Sequence, residues 1–212
     1  MPGVPGSSIP TFDGFGPGVH AFFEQLADNN DRSWFTAHKA DYEREVKAPL
    51  ELLFAALEPE FGVSKLFRIN RDVRFSKDKS PYKTNQAALI DAGARGAYYL
   101  SIDADGVLAG MGTPHFDRGQ LARYRDAVAG EPGDELDDVV AELRRRSVAV
   151  GIVDGGEDIA GATHLKRVPA PFPPDHPRAR FLKLKHIVAV RQWSRPAWLG
   201  SRRAVGTVRD TW

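Results

Sequence analysis

Hydrophobic residues recur at helical spacing up to Gly62 and at strand spacing beyond it. That change of period confines the fold to helices and sheet laid down in successive blocks. Behind Pro17, Val19, Phe22, Phe23 and Leu26 share one helical face. Asp28-Asn29-Asn30 ends that helix and offers a cap for a second, on which Trp34, Phe35, His38 and Tyr42 recur. Pro49 fits the first turn of a third helix burying Leu50, Leu53, Phe54 and Leu57, and Gly62 closes the block.

After Gly62 the segment Phe67 to Phe75 alternates as a strand. Ile69, Val73 and Phe75 fall on one face with Arg71, while Arg68, Asp72 and Arg74 fall on the other. Further strands are expected at 85–90 and 97–102, the latter turned by Asp103-Ala104-Asp105-Gly106 into Val107–Met111 as a hairpin. Helices are expected near 117–128 and 134–145, the second opening acidic and ending on Arg144-Arg145-Arg146, in accord with the helix dipole. A Gly-rich loop at 151–161 precedes a last strand at 184–190. Trp198 to Trp212 reads as helical with no stop signal, which leaves the chain room to continue. Because no βαβ alternation is present, the expected class is α+β, an antiparallel sheet with an N-terminal helical block and further helices packed on it. Residues 1–11 are expected to be a flexible tail and 12–212 a single α+β domain.

At 212 residues and 42% hydrophobic content the chain can bury a full core. With no cysteine there is no disulfide framework, thiol nucleophile or thiolate metal site, which fits a reducing cytoplasm. The N-terminus lacks a signal peptide's basic and apolar regions, and no apolar run approaches the ~20 residues of a membrane span. A soluble cytoplasmic protein without membrane partners is the expectation. Its histidines, His20, His38, His115, His164, His176 and His186, form no i, i+4 pair, so no metal site is expected. No phosphate-binding loop, dinucleotide-binding glycine pattern or nucleophile elbow occurs, so cofactor and reaction are left open.

The densest chemistry lies in Arg68–Thr84, with six cations, two carboxylates and three aliphatic hydroxyls in seventeen positions. Arg68, Arg71, Arg74, Lys77, Lys79 and Lys83 could cradle a phosphate or carboxylate, with Ser76, Ser80 and Thr84 as hydroxyl donors. Tyr82, after Pro81 and among cations, could stack on or donate to a ligand. Asp72 and Asp78 could orient the cations or serve as a general base. The same residues also fit a structural ion network, with Asp72 held by flanking arginines and Asp78 in a turn. Arg71 interrupts an apolar face, so a protein carboxylate or a ligand oxygen must meet it.

A second cluster holds His164, Lys166, Arg167, Asp175, His176 and Arg178. Lys166 and Arg167 could complete an anion site or simply end a strand. His176 is either a general acid/base oriented by Asp175 or a turn histidine in a proline-rich loop.

Three stretches together resemble a known family. They are Asn29-Asn30 through Arg32, Trp34, Phe35, Lys39 and Tyr42; Arg68-x-x-Arg71-Asp72-x-Arg74-Phe75-Ser76-Lys77-Asp78-Lys79-x-Pro81-Tyr82-Lys83-Thr84; and Leu165-Lys166-Arg167-x-Pro169 with Asp175-His176-Pro177 and Leu182-Lys183. They are similar to the bacterial and fungal proteins grouped as domain of unknown function 2461, across residues 12 to 200. Two loops depart from its pattern, at Gly110-Met111-Gly112-Thr113-Pro114-His115 and at Pro171-Phe172-Pro173-Pro174. The resemblance implies a grouping and no mechanism.

Three function classes follow. The first is a domain binding a small phosphate- or carboxylate-bearing ligand through the Arg/Lys-rich segment. The second is an enzyme of phosphoryl or acyl transfer or hydrolysis using the same site. The third is a nucleic-acid-binding protein using the basic stretches 65–83 and 178–203, which a net charge of +1 disfavours. Oligomeric state is not legible.

Overall fold

The computed structural model describes residues 11–74, 78–93, 96–150 and 164–212. The expected tail, the 151–161 loop, and Phe75, Ser76 and Lys77 of the basic segment lie wholly or almost wholly outside these residues. The fold is α+β, with a six-stranded antiparallel sheet in the order β1-β2-β3-β4-β6-β5. Its strands are β1 (Ser64–Leu66), β2 (Asn85–Asp91), β3 (Ala97–Asp103), β4 (Gly106–Thr113), β5 (Ala149–Val150) and β6 (Ile187–Ser194). β1 pairs antiparallel with β2 through Leu66 and Ala88, and β5 with β6 through Ala149 and Val190. The chain forms two compact units.

The first unit comprises the chain up to Ile90 with Ser101–Val107 and Trp193–Asp210. It opens with α1 (Gly18–Asp28), whose Val19, Phe22, Phe23 and Leu26 are buried as their spacing requires. The next helix, α2 (Arg32–Ala37), is capped by Asp31 rather than by Asp28-Asn29-Asn30. Asp31 accepts from the backbone of Ser33 at 2.8 Å and of Trp34 at 2.9 Å. The cap must satisfy amides two and three residues ahead, and Asp31 alone stands at that offset.

Pro49 falls in the first turn of its helix as expected, but that helix is continuous with the one before it. α3 (Lys39–Asp41) runs through a π-helical stretch, Tyr42–Lys47, into α4 (Ala48–Phe61). A proline has no N–H and its ring crowds the carbonyl four residues back. The widened turn relieves that crowding, and the Ala48 amide bonds to Glu43, five residues back. α4 buries Leu50, Leu53, Phe54 and Leu57 and ends at Gly62, where φ is +99°.

Around Gly106 the β3–β4 turn lies so close to β6 that a Cβ would fall 1.9 Å from the Trp193 carbonyl oxygen. The same turn is held from outside. His20 Nδ1 donates to the Asp103 carbonyl at 2.7 Å, and Arg195 Nε donates to that of Ala104 at 2.8 Å while its guanidinium pairs with Glu24. A 3₁₀ turn (Ala197–Gly200) and α8 (Arg203–Thr211) occupy the segment read as helical.

The second unit comprises Asp91–Leu100, Leu108–Gln192 and Thr211–Trp212. It holds α5 (Arg118–Ala129), α6 (Pro132–Arg145) and the short α7 (Ala179–Leu182) around Val128, Val140, Phe181, Leu182 and Leu184. α5 begins with a reciprocal cap in which Asp117 accepts from the Gln120 amide and Gln120 from that of Asp117. Among the described residues no helix is long and apolar enough to cross a membrane.

Replacing Gly62 by alanine should isolate the cost of its backbone conformation, because an added Cβ meets only Ile90 at an ordinary 3.7 Å. A loss of about 1–3 kcal/mol is expected in a urea melt, with the m-value unchanged.

Candidate functional site

The alternating segment after β1 is not a strand. Beyond Leu66 it forms a loop whose arms meet at one bridge, Asn70 opposite Tyr82. Two backbone bonds flank that bridge, from the Arg71 amide to Pro81 at 2.9 Å and from the Lys83 amide to Ile69 at 2.8 Å. Among the described residues the loop's arms share only that bridge, too little for a ladder.

Side chains anchor this loop to the helical block. Asn30 accepts from the Tyr82 amide at 3.1 Å and donates to the Tyr82 carbonyl at 3.0 Å, so one side-chain amide acts as a strand neighbour. The Tyr82 ring is buried and stacks on Phe35, with centroids 4.0 Å apart and planes 18° apart.

The charges of the loop sort into two groups. Arg71 is met by a protein carboxylate, pairing with Asp78. Asp78 also accepts from the Ser80 amide at 2.9 Å. Arg74 folds back onto Asp72, with contacts from 2.7 to 3.3 Å. Lys79 Nζ donates to the Val73 carbonyl at 2.9 Å. Hydrogen bonds from Arg74 hold Asp72 below the usual carboxylate range, and those from Ser80, with Arg71 nearby, do the same for Asp78. A carboxylate so held is a weak base, which counts against either as a proton acceptor.

Lys83 and Arg68 stand apart. Lys83 Nζ donates to the Arg68 carbonyl at 3.1 Å and lies 5.6 Å from the centre of the Phe67 ring. Partial burial, with Arg68 and Arg71 nearby, lowers its pKa, the signature of cations gathered faster than they are neutralised. Arg68 is exposed and forms no ion pair among the described residues.

Arg68 lines a cavity of about 550 Å³ that lies wholly within the first unit. Facing it from the helical block are Lys39, Glu43 and Lys47, brought onto one wall by α3 and the π-helical stretch. Lys47 pairs with Glu43 at 3.0 Å, whereas Lys39 forms no ion pair among the described residues. Tyr42, Gln86, Phe35, Ile69 and Tyr82 supply the buried lining. Tyr42 donates to Gln86 Oε1 at 2.8 Å, and Gln86 Nε2 donates to the carbonyls of Phe67 at 2.6 Å and Ala87 at 3.2 Å. Burial, with Glu43 and Glu51 nearby, pushes the Tyr42 phenol well above its ordinary value, so it remains a neutral donor.

The later candidates belong to the second unit. Lys166 and Arg167 are exposed, beside Leu165, whose amide bonds to Lys183 at 2.8 Å. His176 lies in a turn, its amide bonding to the Pro173 carbonyl at 3.1 Å and its Nδ1 accepting from the Arg178 amide at 3.0 Å. Arg178 pairs with Asp134 and Asp137 and donates to the carbonyls of Val128 and Gly130, a lock between α5 and α6. Among the described residues no group of three or more histidine, aspartate or glutamate side chains could hold a metal ion.

Sequence reading gave no site role to Lys39, Glu43, Lys47 or Gln86. The only signal for the cations was their spacing, Lys39-Glu43-Lys47 at every fourth residue, which solvated helices share.

A family model described as "Conserved hypothetical protein (DUF2461)" matches residues 19–212. No curated protein and no solved structure matches.

Two outcomes are expected from this geometry. Asn30→Ala should lower stability by about 1–3 kcal/mol in urea, since it strips two hydrogen bonds from Tyr82. Asp72 and Asp78 are lowered in the folded state from 3.8, so they bind fewer protons folded than unfolded as the pH drops past that value. Their contribution is therefore complete above 3.8 and is lost as pH falls through their depressed folded values. Melting temperature against pH should fall on that acid side, and less steeply for Asp78→Asn than for wild type.

Proposed function

The chain belongs to this family of conserved hypothetical proteins, and we propose that it binds a small phosphate- or carboxylate-bearing ligand in the cavity edged by Lys39, Lys47 and Arg68. The observation that carries the reading is that Lys39 and Arg68 line one cavity and form no ion pair among the described residues. Arg71 and Arg74 are neutralised by Asp78 and Asp72, which makes them the frame of the loop. Arg68 is left to present its guanidinium fork to oxygens from outside. A volume near 550 Å³ is that of a small-molecule pocket, not of a track for a nucleic-acid backbone.

Binding is favoured over turnover because the carboxylates nearest the site are committed. Asp72 and Asp78 are lowered, and Glu43 is paired with Lys47. We place the protein in the cytoplasm, where a chain with no cysteine needs no oxidative maturation.

The test is thermal melting of wild type, Arg68→Gln and Lys39→Gln against inorganic phosphate, sugar phosphates, nucleotides, carboxylates and oligonucleotides. A ligand at a hundred times its Kd stabilises by about 2.7 kcal/mol, which raises Tm by roughly 5–10 °C at this size. Such a rise is expected for at least one small anion, and it should shrink or vanish in both variants. Both should melt like wild type without ligand, since Lys39 and Arg68 are exposed. A response to oligonucleotides alone, or one indifferent to both substitutions, would overturn the proposal.

A further inference from the structure

We infer that the ligand of this cavity is amphipathic, a single carboxylate or phosphate head on an apolar body, and not an inorganic anion or a sugar phosphate. The inference rests on the anion site proposed above and adds what lies behind the head. The cations Lys39 and Arg68 are on the exposed part of the lining. The buried part offers ligands almost nothing to hydrogen-bond. Gln86, only 1% exposed, has both amide hydrogens committed, to the Phe67 and Ala87 carbonyls, and its oxygen accepts from Tyr42. The one hydrogen of Tyr42 is spent in that bond. At the rim the Thr36 hydroxyl already donates to the Arg32 carbonyl at 2.7 Å.

What remains inside is mostly carbon, from Phe35, Leu66, Phe67, Ile69 and the ring of Tyr82, with the Tyr82 hydroxyl and the exposed Asn70 amide as polar groups among it. A sugar placed there would find few partners for its several hydroxyls, and each one left unpaired costs affinity. An alkyl chain or ring loses nothing by entering and gains the transfer of its surface out of water. Cations outside and carbon within therefore select one polarity of ligand, with its head at the rim.

The discriminating experiment measures Kd by calorimetry or NMR titration for six compounds: acetate, hexanoate, benzoate, inorganic phosphate, phenyl phosphate and ribose 5-phosphate. Hexanoate or benzoate should bind about tenfold or more tighter than acetate, or phenyl phosphate tighter than phosphate by a similar factor. The series that responds identifies the head. Ribose 5-phosphate should bind no tighter than inorganic phosphate. Leu66→Gln, on a half-buried lining residue, should reduce the gain from the apolar body. Arg68→Gln should weaken every anion together.

If simple anions bind through Arg68 but the apolar body adds nothing, or ribose adds as much as phenyl, this inference falls while the anion site stands. If none of the six binds, or binding ignores Arg68→Gln, both fall.

Discussion

The hydrogen-bond chain from Tyr42 through Gln86 to Phe67 is the constraint on which the cavity depends. β1 is only three residues long, and at its end the chain must leave the sheet without stranding its peptide groups. The Phe67 amide still reaches Ala87 at 2.9 Å, while its carbonyl is taken by the side chain of Gln86. The amide so positioned is steadied by Tyr42 on the helical block, so helix and strand end are fixed relative to each other through one neutral network. The space between them is therefore held open by polar groups that satisfy one another.

The basic loop illustrates how charge density misleads. Counting cations along Arg68–Thr84 does not show which of them already have partners. Arg71, the residue that broke an apolar pattern, did require a carboxylate, and the loop supplies it as Asp78 seven residues on. Asp72 does the same for Arg74 two residues away. Local pairs of this kind shape a loop in the way that short covalent links would, though each is exposed to solvent and contributes modestly. Subtracting them leaves Arg68, Lys79 and Lys83 as the described cations of the loop without an ion pair, a remainder visible only once the pairings are known.

Much of the fold was legible because its signals are local. The faces of α1 and α4, the β3–β4 hairpin with its Asp-Gly turn, and the acidic start and basic end of α6 each follow from residues within a few positions of one another. The failures have one cause in common. The Asp31 cap, the π-helical stretch before Pro49 and the loop at 67–84 depend on which backbone groups lack partners in three dimensions, and hydrophobic period carries no such information. Asn30 is the plainest case. Its sequence context reads as a helix stop, yet its amide stitches a segment fifty-two positions away. The candidate site shares this blindness, because Lys39 and Lys47 become site residues only through the element opposite them.

The π-helical stretch also gives this region a tolerance of length that composition hides. Tyr42–Lys47 accommodates one more residue than an α-helix would over the same rise, and Pro49 stands two positions after it. Excising a single residue there would return the run to α-helical winding with Phe35 and Lys39 still in phase with α4, because the wide turn spends its extra residue on almost no extra rotation. Excising one from the regular winding of α4 would instead turn everything before it by about 100° and swing Lys39 and Phe35 off the cavity wall together, although no wall residue had been altered. The stretch thus works as slack in the helical block, placed where a proline needs room.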